Sequence, residues 1–94
     1  MTGSVSLTTL RRMKAEATPI VALTAYDYSF ARAVDRAGVD VVLVGDSLGM
    51  VMQGHADTVP VSLAEMAYHS RCVARGLERA YLMVDLPFLS DYDE

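Results

Sequence analysis

Apolar and polar positions follow two rhythms along this chain. Residues 20–25 ("IVALTA"), 39–45 ("VDVVLVG") and 80–85 ("AYLMVD") are short apolar runs. Runs of that length read as buried strands. Between them the period lengthens to that of a helix. Phe30, Ala33, Val34 and Ala37 fall at i, i+3, i+4 and i+7 and predict one apolar helix face. Asp27 or Ser29 can cap its start, and Gly38 stops it. A second stripe, Leu63, Met66, Ala67, Val73, Ala74 and Leu77, predicts a helix over 62–75. Ser62 and Glu65 form an S-x-x-E capping box before it, and Gly76 stands at its end. Upstream, residues 7–17 predict a short helix on Leu7, Leu10 and Met13. Thr8 or Thr9 can cap it, and Thr18 with Pro19 ends it.

The order strand–helix–strand–helix–strand predicts parallel strands joined by right-handed crossovers. A structural echo supports it. "AGVDVVLVGD" and "RGLERAYLMVD" repeat helix end, glycine, strand and aspartate, with Gly38 and Gly76 lying 38 positions apart. The echo is one of βα units, not of residue identity. Residues 46–60 ("DSLGMVMQGHADTVP") show no clear period. That is long for a βα connection, and long loops in compact domains tend to carry function.

Composition narrows the class. Ninety-four residues suit one small domain, and 52% apolar content suits strands covered on both faces. The net charge of −4, without a basic run, disfavours nucleic-acid binding. Cys72 is the single cysteine, which excludes an intramolecular disulfide and points to a cytoplasmic location. The N-terminal stretch has no apolar signal-peptide core, and no apolar run is long enough to cross a bilayer.

The chemistry gathers at strand ends. Asp46 follows the second strand and Asp85 ends the third. In parallel α/β folds that edge is the reactive one. Neighbouring strands lie roughly 4.8 Å apart, so the two carboxylates would face one pocket. They would repel unless a proton or cation is shared, and Mg2+ suits a pair of carboxylates. The plainer alternative for Asp46 is a turn or helix cap; for Asp85, followed by Leu86 and Pro87, a cap is less convincing. Gly45 and Gly49 bracket "DSL" and fit close backbone approach to a ligand, but form no nucleotide-binding motif. Ser47 can donate to an anionic group, or be a turn serine. Tyr26 and Asp27 also follow a strand, where a cap role for Asp27 is the simpler reading. His55 reads as a surface loop residue, and His69 as structural or exposed. Cys72 reads as packing, and Arg71, Arg75 and Arg79 as a basic edge on the second helix. No zinc-ligand spacing is present.

Taken together, "LTAYDYSFA" (23–31), "VGDSLGMVMQGH" (44–55), "TVPV" (58–61), "YH" (68–69) and "DLPF" (85–88) resemble the 3-methyl-2-oxobutanoate (ketopantoate) hydroxymethyltransferase family. The similarity runs from about residue 7 to residue 90. It implies the N-terminal part of a (β/α)8 TIM barrel of the phosphoenolpyruvate/pyruvate type. Residues 1–94 would then be a single partial domain: the 7–17 helix followed by β-α-β-α-β. It also implies transfer of a one-carbon unit from 5,10-methylenetetrahydrofolate to 3-methyl-2-oxobutanoate, giving 2-dehydropantoate for coenzyme A synthesis. Asp46 and Asp85 would hold Mg2+, and Asp46, Ser47 and Asp85 would contact the oxoacid. The implied partners are small molecules and, at full length, further copies of the chain, with no nucleic acid or membrane.

A whole barrel of this type needs about 250 residues. The resemblance therefore places the family's substrate lysine, its further metal-linked glutamate and its glutamate base beyond Glu94. Residues 90–92 (Ser-Asp-Tyr) depart from the expected Ser-Tyr. Two alternatives stand beside it: another Mg2+-dependent 2-oxoacid lyase or mutase on the same barrel, and a non-catalytic fragment or small doubly wound binding domain. Three open βα units would leave two unpaired sheet edges and an uncovered apolar face. The chain alone is expected to be marginally stable, to associate or aggregate, and not to turn over. A purified chain, free of host enzyme, that steadily forms ketopantoate would overturn that expectation.

Overall fold

Strand β2 (Val41–Val44) is the centre of the fold. The computed structural model describes residues 4–58 and 60–85. Its elements run α1 (Leu7–Ala15), β1 (Ala22–Thr24), α2 (Tyr28–Arg36), β2, α3 (Leu48–Val51), α4 (Leu63–Gly76) and β3 (Tyr81–Val84). The three strands form one parallel sheet in the order β1-β2-β3. Ala22 aligns with Val41 and then Tyr81, so all three strands start level. The expected βαβαβ order is therefore present.

The core lies between the sheet and the helix pair α2 and α4. Val42 and Val44 from β2 meet Ala31 and Val34 of α2 and Met66 and Val73 of α4. Leu48 and Val61 anchor the two ends of the intervening loop in the same cluster. Gly76 allows the two helices to approach closely. A Cβ there would stand 2.8 Å from the Tyr28 carbonyl oxygen and 3.1 Å from the Ala31 Cβ. Gly38, the other half of the echo, serves a different need, since its φ of +95° is a left-handed conformation that favours glycine.

Several expectations need correction. Only β2 is buried as a strand; β1 is exposed along its length and β3 is half-buried to exposed. Both outer strands have one neighbour among the described residues, which leaves Leu23, Met83 and Val84 exposed. The inward face of α2 is Ala31, Val34 and Asp35; Phe30, Ala33 and Ala37 point outward. In α4 the buried positions are Met66, Val73 and Gly76, while Leu63, Ala67 and Ala74 are exposed. The cap of α1 is Ser6 rather than Thr8 or Thr9, in a reciprocal bond with Thr9, and the helix ends at Ala15. Asp27 caps α2 and the Ser62–Glu65 box caps α4, as expected. The stretch 46–60 contains the short helix α3, which has too few turns to show a period.

Arg79 is also misplaced by a helical reading. Helix α4 stops at Gly76, and Arg79 turns under the sheet. It donates to the Gly38 and Val39 carbonyls and pairs with Asp40 at 2.9 Å. The Asp40 carboxylate also accepts the Val21 N–H. Beside it, the Asp35 carboxylate accepts three backbone N–H bonds, from Glu78, Arg79 and Ala80. The N–H of Val5 then donates to the Arg79 carbonyl and seats the N-terminal segment there.

These bonds hold both carboxyls below their ordinary value. For Asp35, burial is the largest influence and raises it, but the three N–H donors and the Arg79 charge together outweigh burial. For Asp40, the Val21 N–H leads, and Arg79 adds to it against burial. A lowered folded-state pKa makes the unfolded chain take up protons first as pH falls. The stabilisation is complete above the unfolded value and is lost as pH drops through the folded one. The urea midpoint should therefore fall between about pH 5 and pH 2. Asp35→Asn should start lower and change less over that window. Asp35→Ala, which leaves three part-buried N–H donors without their acceptor, should cost about 1–3 kcal/mol.

Candidate active site at the carboxyl ends of the strands

Because the strands start level and β2 and β3 have equal length, their ends are level too. The Asp85 N–H donates to the Val44 carbonyl at 3.0 Å, which extends the pairing one residue past β3. Asp85 therefore lies beside Gly45. A Cβ built on Gly45 would stand 3.3 Å from Asp85 Oδ2 and 3.6 Å from Ser47 Oγ. The carboxylate of one strand end and the hydroxyl from the next turn thus converge over a glycine. Among the described residues, the Asp85 side chain is what comes closest to Gly45.

Past β2 the chain turns at once. The N–H groups of Leu48, Gly49 and Met50 donate to the carbonyls of Gly45, Asp46 and Ser47. This turn satisfies the start of α3 without any side chain, and Ser47 at its head makes no capping bond. Asp46 is half-buried and Asp85 exposed. Neither carboxylate accepts a hydrogen bond from, or pairs with a cation among, the described residues. Asp46 thus does not act as a cap. No three His, Cys, Asp or Glu side chains gather into a metal-binding group among the described residues.

The third contributor is β1. Pairing continues through the Ala25 N–H, which donates to the Leu43 carbonyl, and Tyr26 follows. Its hydroxyl lies 2.8 Å from Ser47 Oγ. Its carbonyl accepts a 2.7 Å bond from His69 Nδ1 in α4. A carbonyl only accepts, so Nδ1 carries the hydrogen. His69 is thus structural, as expected, and its role is definite, since it ties the end of β1 to the helix layer. The Tyr26–Ser47 bond spans 21 residues and the His69–Tyr26 bond 43. No local spacing could have announced either. His55 is exposed in the loop and Cys72 is a free, half-buried thiol, both as read from the sequence. Leu86–Phe88, the rest of "DLPF", lie outside the described residues, as do Ser90–Tyr92.

Comparison with known proteins follows the same residues. The sequence profile of ketopantoate hydroxymethyltransferase matches residues 4–94. The chain belongs to the ketopantoate hydroxymethyltransferase family. It is 63% identical over 84 residues to a 3-methyl-2-oxobutanoate hydroxymethyltransferase of Thiobacillus denitrificans, covering 89% of this chain and 32% of that protein. It is 57% identical over 88 residues to the protein of that name from Halorhodospira halophila, covering 94% of this chain and 32% of that protein. The like-named Chromohalobacter salexigens protein is 59% identical over 90 residues, which is 96% of this chain and 34% of that protein. The chain thus spans about a third of the length of these ketopantoate hydroxymethyltransferase relatives. No helix among the described residues is long and apolar enough to cross a membrane.

The close approach over Gly45 gives a direct test. Gly45→Ala should shift the Asp85 carboxyl carbon and Ser47 amide signals in NMR spectra. The core amides of Val34 and Val73 should stay in place. An unmoved Asp85 signal would mean that its carboxylate does not stand over Gly45.

Proposed function

We propose that this chain forms the oxoacid-binding part of a 3-methyl-2-oxobutanoate hydroxymethyltransferase on a (β/α)8 barrel. The reaction is transfer of the one-carbon unit of 5,10-methylenetetrahydrofolate to C3 of 3-methyl-2-oxobutanoate, giving 2-dehydropantoate. The observation that carries the reading is the match of residues 4–94 to this family, with Asp46, Ser47 and Asp85 at adjacent strand ends.

The donor set fits Mg2+. Two carboxylates at one sheet edge, with no protein cation between them among the described residues, suit a hard ion that completes its shell with water and substrate. Asp46 and Asp85 would hold it. When bound, it supplies a Lewis acid for the oxygens of the 2-oxoacid. Ser47 donates its hydroxyl to the substrate carboxylate. The turn after Gly45 brings Ser47 Oγ and Asp85 Oδ2 to the same glycine, so one wall of the site would bind both the metal and the oxoacid carboxylate. No described glutamate suits the removal of the C3 proton. Glu65 is bound to Ser62 and Gln53, Glu78 precedes β3 at the opposite edge, and Glu16 lies at the end of α1, outside the sheet. By the family resemblance, the glutamate base would lie beyond Glu94.

Mg2+ titration by calorimetry, with and without 3-methyl-2-oxobutanoate, tests this. The unmutated chain should bind the pair together. Asp46→Asn and Asp85→Asn should each weaken Mg2+ by on the order of tenfold or more. Equal affinity in all three chains would remove the reading.

A further inference from the structure

The bond between Tyr26 and Ser47 joins two hydroxyls of unequal acidity. A phenol O–H is a better donor than an alkyl O–H, and the serine oxygen is the better acceptor. Either hydroxyl can donate across the 2.8 Å gap, and this difference favours Tyr26 as the donor to Ser47 Oγ. The Ser47 hydrogen is left to point elsewhere. The Ser47 oxygen is not engaged at the start of α3 either, because backbone carbonyls already accept from the Leu48, Gly49 and Met50 N–H groups. Ser47 Oγ and Asp85 Oδ2 both stand over Gly45, which places this hydroxyl in the same small region as the Asp85 carboxylate. Tyr26 is itself held. Its ring packs on the core, and its carbonyl is anchored by His69.

We propose that Tyr26 is a positioning residue for the substrate: its hydroxyl sets Ser47 as a hydrogen-bond donor toward the oxoacid carboxylate. The inference rests on the oxoacid reading above and deepens it. A donor that is itself accepting a hydrogen bond is polarised and donates more strongly, so the effect is on substrate affinity through Ser47. Tyr26 does not touch the reacting atoms.

The test uses the 94-residue chain with Mg2+ and 3-methyl-2-oxobutanoate as the probe. Tyr26→Phe keeps the ring and removes only the hydroxyl. It should weaken oxoacid binding about three- to tenfold. Ser47→Ala should weaken it at least as much, and the double variant should be no weaker than Ser47→Ala alone. A second readout needs no ligand. In chain labelled at the tyrosine ζ carbon, the Tyr26 signal is identified by its loss in Tyr26→Phe, and Ser47→Ala should shift it. Additive losses in the double variant, unchanged affinity in Tyr26→Phe, or a Tyr26 signal indifferent to Ser47→Ala would each overturn the proposal alone. Failure of the unmutated chain to take up the oxoacid would count against both this proposal and the function it rests on.

Discussion

The arrangement depends on a single buried carboxylate. Asp35 leaves helix α2 on its inward face and collects three backbone N–H groups from the turn that begins β3. No hydrophobic side chain could define that turn as tightly, because apolar contact has no direction. With Asp40 and Arg79 completing the clamp, β3 starts level with β2, and β1 is tied in through the Val21 N–H. Everything at the far end of the sheet follows from that alignment. Equal strand lengths then bring Asp85 beside Gly45 and set Asp46 and Ser47 one turn away.

Charge is thus handled in opposite ways at the two ends of the sheet. At the amino ends, Asp35, Asp40 and Arg79 are bonded to backbone and to each other, and both acids are held in their ionised form. At the carboxyl ends, Asp46 and Asp85 meet no such partners among the described residues. Satisfied charges stabilise the amino edge, and under the proposed function the unpartnered pair at the carboxyl edge is where Mg2+ and the oxoacid would bind. This is the division between structural and reactive faces expected of parallel βα units. Membership of the ketopantoate hydroxymethyltransferase family agrees with it without being needed to see it.

Much of this was legible along the chain because it is local. The capping box at Ser62, the cap at Asp27 and the strand of Val41–Val44 each depend on neighbours within a few positions. What was misread involves contact at long range. The inward stripe of α2 includes a charged residue, so a search for apolar periodicity selected Phe30 and Ala37 in place of Ala31 and Asp35. Arg79 looked like a continuation of the helical series Arg71 and Arg75, yet Gly76 ends the helix and sends it under the sheet. The apolar run 20–25 reads as a buried strand, but the β1 it holds lies at an edge of the sheet among the described residues and is exposed.

By itself, the sequence determined the βαβαβ order, the parallel sheet and the two aspartates that end successive strands. These are consequences of residue type and spacing, which a one-dimensional pattern carries in full. Only the tertiary structure decided which face of α2 turns inward, how the strand starts are aligned, and that Tyr26 meets Ser47 while His69 holds Tyr26. Those contacts join residues 21 to 45 positions apart. Their partners are largely backbone N–H and C=O groups, which every residue but proline offers alike, so side-chain identity leaves no trace of them until the chain has folded.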